Sequence, residues 1–378
     1  MTKRLYVDVH ILQTVPPANL NRDDNGNPKE AYFGGKRRSR VSSQAWKRAT
    51  RMHFAERCGP QDLATRTKRI AGQLAKRLQE RTGIAAQDAE RIAGAVLKPM
   101  GITAGKKAGD TAYLLFFGRR QLESIVGLVA DDATDLSALE DKALEEAVAG
   151  LPVREQLQNG HPADVALFGR MVADIPGLNV DAATQVAHAI STHATELEFD
   201  YYTAVDDENT ADETGAGMIG TIGFNSATLY RYATVGVHQL QENLGEDKAA
   251  IEAIDLFVDS FSRSMPTGYA NSFAHRTRPS LVAVVVRTDQ PVNLVSAYER
   301  PVPNGDGVVS ASARRLADEY RTATRQWGDA PLLTAVCHTL GDDDADGTEL
   351  AEAFGTNKTF PQLLDALKAA LGAELDAR

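Results

Sequence analysis

The sequence predicts an α+β protein with a ferredoxin-like core from which a helical block is extruded, and three observations carry that prediction. Strand-like apolar runs alternate with amphipathic helices at the start of the chain and again beyond residue 164. Residues 62–150 are alanine-rich and read as helical. A polar, acidic, Gly-rich segment at 203–223 is flanked on both sides by strand-like sequence and reads as a protruding hairpin. With 378 residues and 43% hydrophobic content, the chain is long enough to bury a sizeable core.

In order, residues 4–13 alternate and are rich in Val and Ile, which predicts a β-strand, and residues 14–35 are too rich in Pro, Asn, Asp and Gly for a regular element. A basic extended run follows, and Ser42 or Ser43 caps a helix expected to end near Gly59-Pro60. Amphipathic helices are expected over 61–83, 85–99 and 137–150, with a short strand at 112–117. Residues 164–171 read as a strand, 181–195 as a helix, 224–237 as a strand, 248–264 as a helix and 280–288 as a buried strand. Two amphipathic segments, 312–327 and 360–375, make the C-terminal region helical. No repeat of fixed period is visible, so a repetitive surface would require assembled copies.

Charge is unevenly placed. The chain carries a formal −10, yet residues 36–51 hold Lys36, Arg37, Arg38, Arg40, Lys47, Arg48 and Arg51 and no acidic residue. A local positive field on a negative body points to a placed polyanion contact. On a helix, Gln44, Lys47, Arg48 and Arg51 share one face, while Ala45, Trp46, Ala49 and Met52 point largely the other way. A solvated basic face is the plain alternative; the Gly34-Gly35 bend favours a ligand, because glycine permits close backbone approach.

Signals for catalysis are weak. Gly215, Gly217 and Gly220 match GxGxxG literally, but the segment follows the acidic run 206–214 rather than a hydrophobic strand and opens no helix. His188 and His193 are i, i+5 on the expected helix and diverge too far to chelate one metal. Asp206 and Asp207, with Asp200 or Glu208, suit a divalent ion in principle but read as solvated loop carboxylates. Only Cys58 and Cys337 occur, far apart, which supports neither a disulfide framework nor a zinc site. No cofactor and no metal are expected. Neither a signal peptide nor a membrane span is evident, so a reduced, cytoplasmic setting is expected.

Five separated blocks carry a resemblance: NLNRDDNGNPKEAYFGGKRRSRVSSQAWKRATR, GRM at 169–171, AHAISTH, YTAVDD and LYRYATVGVHQLQENLG. Together they resemble the CasC-type backbone subunit of the type I-E CRISPR surveillance complex, Cascade. The resemblance runs from the first strand through Asn243 and continues less distinctly to about Pro303. It implies a modified RNA-recognition-motif palm (1–60, 151–198 and 224–310), helical fingers (61–150), a β-hairpin thumb (199–223) and a C-terminal helical region (311–378) packing on the palm.

The resemblance further implies a non-catalytic subunit that polymerises along the CRISPR RNA guide, displaces bases at regular intervals and presents the guide to a target DNA strand. Its partners would be the guide, the target, further copies of itself and other Cascade subunits. RNA-backbone contacts are implied for Arg22, Lys29, Lys36, Arg38, Arg40, Ser42, Gln44, Lys47, Arg48 and Arg51. Gly169, Arg170 and Met171 would lie against the guide, with Met171 pressing on a base, and Tyr202, Thr203, Ala204 and Val205 would displace a nucleotide. Whether Tyr201 or Tyr202 meets the base stays open. The alternative function is a metal-dependent ribonuclease using the hairpin carboxylates. Phosphate contacts would set register while base pairing supplies specificity.

Overall fold

A computed structural model describes residues 4–102, 110–111, 114–204, 218–305, 307–342 and 345–377. The chain forms two compact units, one of residues 1–53, 184–237 and 254–378, the other of residues 54–183 and 238–253.

Among the described residues, the first unit is built on a nine-stranded sheet. It opens with β1 (Tyr6–Ala18), β2 (Glu30–Phe33), β3 (Lys36–Val41) and α1 (Ser43–Phe54). Two stretches expected to be loop are therefore strand. Pro16 and Pro17 fit within β1 because its pairing register shifts between Val15 and Ala18, where ladder hydrogen bonds are interrupted. β2 and β3 pair with Phe33 opposite Lys36, which leaves Gly34-Gly35 as a two-residue turn at φ +57° and +72°, the left-handed backbone that such hairpins need.

The second unit follows in the chain: β4 (Ala64–Thr67), α2 (Ile70–Thr82), α3 (Ala86–Leu97), β5 (Leu115–Gly118), α4 (Arg119–Gly127), α5 (Ala133–Ser137), α6 (Asp141–Val148), α7 (Val153–Gln158) and α8 (Ala163–Phe168). Its core joins Leu74 and Leu78 of α2, Ile92 and Val96 of α3, Phe117 of β5, Leu122 of α4 and Leu144 of α6. Three expectations are corrected here. The helix expected from 61 starts only at Ile70, because Ala64–Thr67 pairs with β5. The acidic helix expected over 137–150 is broken between Ser137 and Asp141. The strand expected over 164–171 is α8, preceded by Pro162 and stopped by Gly169; a four-residue apolar run does not distinguish strand from helix.

The sheet resumes with β6 (Thr184–Val186), β7 (Ala189–Ser191), β8 (Glu198–Ala204) and β9 (Met218–Gly236), and then come α9 (Val237–Leu244), α10 (Asp247–Arg263), α11 (Ala270–Phe273), β10 (Leu281–Arg287), α12 (Val308–Trp327), β11 (Leu333–His338), α13 (Ala345–Phe354) and α14 (Phe360–Asp376). Strand order is β11-β10-β1-β9-β7-β3-β2, with β6 and β8 also paired to β9. The helix expected over 181–195 is thus two short strands, since pairing to the central β9 outweighs the local helical pattern. The C-terminal region is not wholly helical: β11 adds an edge strand beside β10.

β1 lies between β9 and β10 and is buried on both faces, so its polar residues must be satisfied internally. Asp8 accepts from the Tyr232 hydroxyl at 2.9 Å and Val292 N at 3.0 Å, and His10 Nδ1 lies 2.9 Å from the Tyr230 hydroxyl. Burial raises the Asp8 carboxyl to about 6 and lowers the His10 imidazole to about 3. Leu316 and Tyr320 of α12 pack with Leu350 and Phe354 of α13 against Tyr230, Ala283 and Val285 of the sheet. Among the described residues no helix is long and apolar enough to cross a membrane.

Candidate nucleic-acid interface

The basic element is positioned by what it buries. Ser42 caps α1: its Oγ accepts from Ala45 N at 3.3 Å, and its own N–H donates to Asn21 Oδ1 at 2.9 Å. Trp46, Thr50 and Phe54 form the buried stripe at i, i+4, i+8. In the first unit, Trp46 packs on the guanidinium of Arg231 at 3.7 Å, and Arg231 donates to Gln13 Oε1 at 2.6 Å and to the Phe261 carbonyl. With burial, Arg231 falls to about 9.

That stripe turns Gln44 and Arg48 fully outward and leaves Lys47 and Arg51 half-buried at the margin. Met52 joins the exposed side at 56% accessibility, which corrects its expected apolar placement. Burial lowers the Lys47 ammonium below an ordinary lysine.

The adjoining strands divide their arginines by side. Arg38 is wholly buried and donates to the carbonyls of Ser191, Tyr298 and Glu299 at 2.7, 2.8 and 3.2 Å. Its charge pins the β2–β3 hairpin to the rest of the unit; burial, then Arg315, lowers its pKa. Arg37 and Lys36 are exposed. Arg40 donates to the Glu30 carbonyl at 3.1 Å and meets His188 Nδ1 at 3.2 Å. An open polar cleft of about 360 Å3 is lined by Asp23, Asp24, Lys29, Glu30 and Arg40. Arg22 stacks on Tyr269 at 4.8 Å, and Tyr269 is one of two non-glycine residues with positive φ among the described residues. Close backbone approach at Gly34 is to the protein itself, since a methyl there would overlap the Glu299 carbonyl.

In the second unit, Gly169 has φ +75°, and a Cβ would come within 2.8 Å of the Val180 carbonyl. Arg170 turns inward and donates to Leu178, Leu157 and Phe116 carbonyls at 2.6, 2.8 and 3.3 Å; burial lowers it to about 10. Inward anchoring of Arg170 sends its neighbour out, and Met171 is 85% exposed.

The β8–β9 hairpin pairs Phe199 with Gly223, Tyr201 with Thr221 and Thr203 with Ile219. Directly opposite residues share a face, so Phe199, Tyr201, Thr203 and Ile219 form one exposed side. Tyr202 lies on the other side against Gly220, where a side chain would collide with its ring. Gly220 is therefore a strand residue under an aromatic ring, while Gly215 and Gly217 lie outside the described residues. Thr203 and Ala204 end the described part of β8; Val205, Asp206, Asp207 and Glu208 lie outside it. Neither His188 nor His193 is helical, and His193 Nε2 accepts from Thr228 N at 3.1 Å. Among the described residues no group of three His, Cys, Asp or Glu side chains is arranged to hold a metal.

Sequence reasoning missed Arg231 and Tyr269, which position Trp46 and Arg22. A lone arginine within the apolar run of 224–237 was the available signal for the first; the second depends on a contact between distant loops.

A family model described as CT1975-like protein matches residues 7–366. No curated protein sequence matches the chain. A chain of a solved structure described as a CRISPR RNA-guided surveillance complex, pre-nicking, is 33% identical with a TM-score of 0.83, covering 97% of this chain and all of that one. A chain of another, described as a CRISPR RNA-guided surveillance complex, is 29% identical with a TM-score of 0.74, covering 97% of this chain and 99% of that one.

Proposed function

The chain belongs to the CT1975-like protein family, and from that premise we propose that it is a CasC-type backbone subunit of a type I-E CRISPR surveillance complex, binding the CRISPR RNA guide. The observation that carries this reading is the likeness over essentially the whole length of both chains to a component of an RNA-guided complex. The outward face of α1 gives it a physical means: Gln44 and Arg48, flanked by Lys47 and Arg51, meet phosphates without reading sequence. Lys29, Lys36 and Arg40 extend the contact across β2–β3, whereas Arg38 and Arg170 act from inside by shaping the surface. Met171 and the exposed side of β8–β9 supply apolar groups against unstacked bases.

In this reading the subunit polymerises along the guide with its RNA-recognition-motif palm, helical fingers and hairpin thumb, in the cytoplasm and with other complex subunits. Base displacement at intervals lets guide and target DNA pair in short segments without winding around each other. It holds RNA and does not cut it.

Replacing Lys47, Arg48 and Arg51 with Ala tests the contact. If about four cations engage phosphates, log affinity falls with log salt at a slope of about −3, reduced by roughly 0.7 per cation removed. The triple variant should bind single-stranded RNA more weakly, with a slope near about −1 and an unchanged melting temperature. Unchanged affinity and slope would sink the assignment. Magnesium-dependent cleavage lost in Asp206→Asn or Asp207→Asn would replace it with the ribonuclease reading.

A further inference from the structure

The outer side of the β2–β3 hairpin carries a feature that neither the phosphate contacts nor the β8–β9 hairpin uses. Alternation along the two strands puts Arg38 and Phe33 on the inner side, where the Arg38 guanidinium lies 5.6 Å from the Phe33 ring and is fixed by three carbonyls. Tyr32 and Arg37, directly opposite each other in register, therefore point out together. Tyr32 is 73% exposed although β2 ends the sheet and is anchored beneath by Arg38 and at its turn by Gly34. A large aromatic ring is presented to solvent from a rigid support.

The ring is also oriented. Arg37 donates to the Tyr32 hydroxyl at 3.2 Å with its guanidinium carbon 5.3 Å from the ring centre, and its other partner is Glu30. Glu30 holds Arg37 and Arg37 holds Tyr32, so the order needed for stacking exists before any ligand arrives. The hydrogen bond to Glu30 also raises the Arg37 pKa. Lys36 is exposed on the same hairpin, and the strand leads directly into the cationic face of α1.

We infer that Tyr32, positioned by Arg37 and Glu30, is a stacking platform for one unpaired base of a bound RNA, separate from the phosphate contacts of α1. The inference rests on the RNA-binding reading above and adds a base contact to it. Charge selects the occupant: the Arg37 guanidinium lies beside the ring, and β3 leads directly into the cationic face of α1, which suits a base carried on a phosphate backbone. Aromatic and guanidinium planes accept any base by its π-face, so the site adds affinity without sequence preference.

The test compares wild type, Tyr32→Ala and Tyr32→Phe in the full chain, binding a short single-stranded RNA and an abasic oligonucleotide of equal length and charge. Stacking predicts that Tyr32→Ala binds the RNA at least about fivefold more weakly. Tyr32→Phe retains most of the affinity. The salt slope is the same in all three, because a neutral ring releases no counterions. On the abasic strand wild type and Tyr32→Ala should bind alike. Melting temperatures accompany each titration and must agree among the three proteins. Equal loss on both strands, or none on either, overturns the platform while leaving phosphate binding intact. A change confined to self-association, read by sedimentation, overturns it in favour of a contact between copies. Salt-insensitive or absent binding by wild type would instead remove the RNA reading itself.

Discussion

Two hairpins of the first unit make opposite use of the same construction. β2–β3 is held along its length: Arg38 is buried beneath it, and its Gly-Gly turn lies against the Glu299 carbonyl. β8–β9 is held at its base, where Asn19 donates to the Gly223 carbonyl at 2.9 Å and Phe224 packs on Phe273 at 5.9 Å. Farther out its described side chains are exposed, and Tyr202 finds its partner within the hairpin, over Gly220. The difference teaches that strand pairing does not fix a hairpin to a protein; buried contacts to other elements do. One hairpin offers an anchored surface, and the other an arm whose described apolar side, Phe199, Tyr201 and Ile219, is exposed.

Breaking the inner anchor should have the largest effect. Arg38→Ala removes the shared donor from the buried Ser191 and Tyr298 carbonyls and from the half-buried Glu299 carbonyl, and should cost about 3–5 kcal/mol, seen as a lower urea midpoint. Arg48→Ala, ten residues on and fully exposed, should stay within about 0.5 kcal/mol. Similar losses in the two variants would erase the distinction between anchoring and presented arginines.

The turn comes next. Gly34→Ala combines left-handed backbone with overlap on Glu299 and should cost about 3 kcal/mol, whereas Gly35→Ala, also left-handed but facing open space, should cost only about 1–2 kcal/mol. Equal costs, measured by denaturant titration, would show that the turn does not depend on its tertiary contact. The smallest effect belongs to the other hairpin. The nearest atoms to a Cβ in Gly220→Ala are the hydroxyl end of the exposed Tyr202 ring, which can swing away. Stability should change by less than about 1 kcal/mol, while tyrosine fluorescence reports a more exposed ring; a large loss of stability would mean that this hairpin is anchored as firmly as β2–β3.

Much of the core was legible because its signals are local and long. The helix at 247–263, the buried strand at 281–287 and the long strand ending at 236 each follow from periodicity sustained over many residues. So does the cap of α1 with its outward Arg48, since a serine, a buried tryptophan stripe and 100° per residue suffice. The short segments were not legible. Within 164–171 a helix forms that Gly169 ends, and within 181–195 two strands form whose pairing partners lie 38 to 51 residues away.

Arg37 and Arg38 show where the limit lies. Composition and charge place both in a basic element, and alternation says that they face opposite ways. Neither says which side is the interior. That was decided by β7 pairing with β3 and by the carbonyls of Tyr298 and Glu299, more than 250 residues distant, converging on one guanidinium. A sequence records which side chains a segment carries and how they alternate. The fate of each charge depends on desolvation and on acceptors brought by remote parts of the chain, which exist as a set only once the tertiary structure has formed.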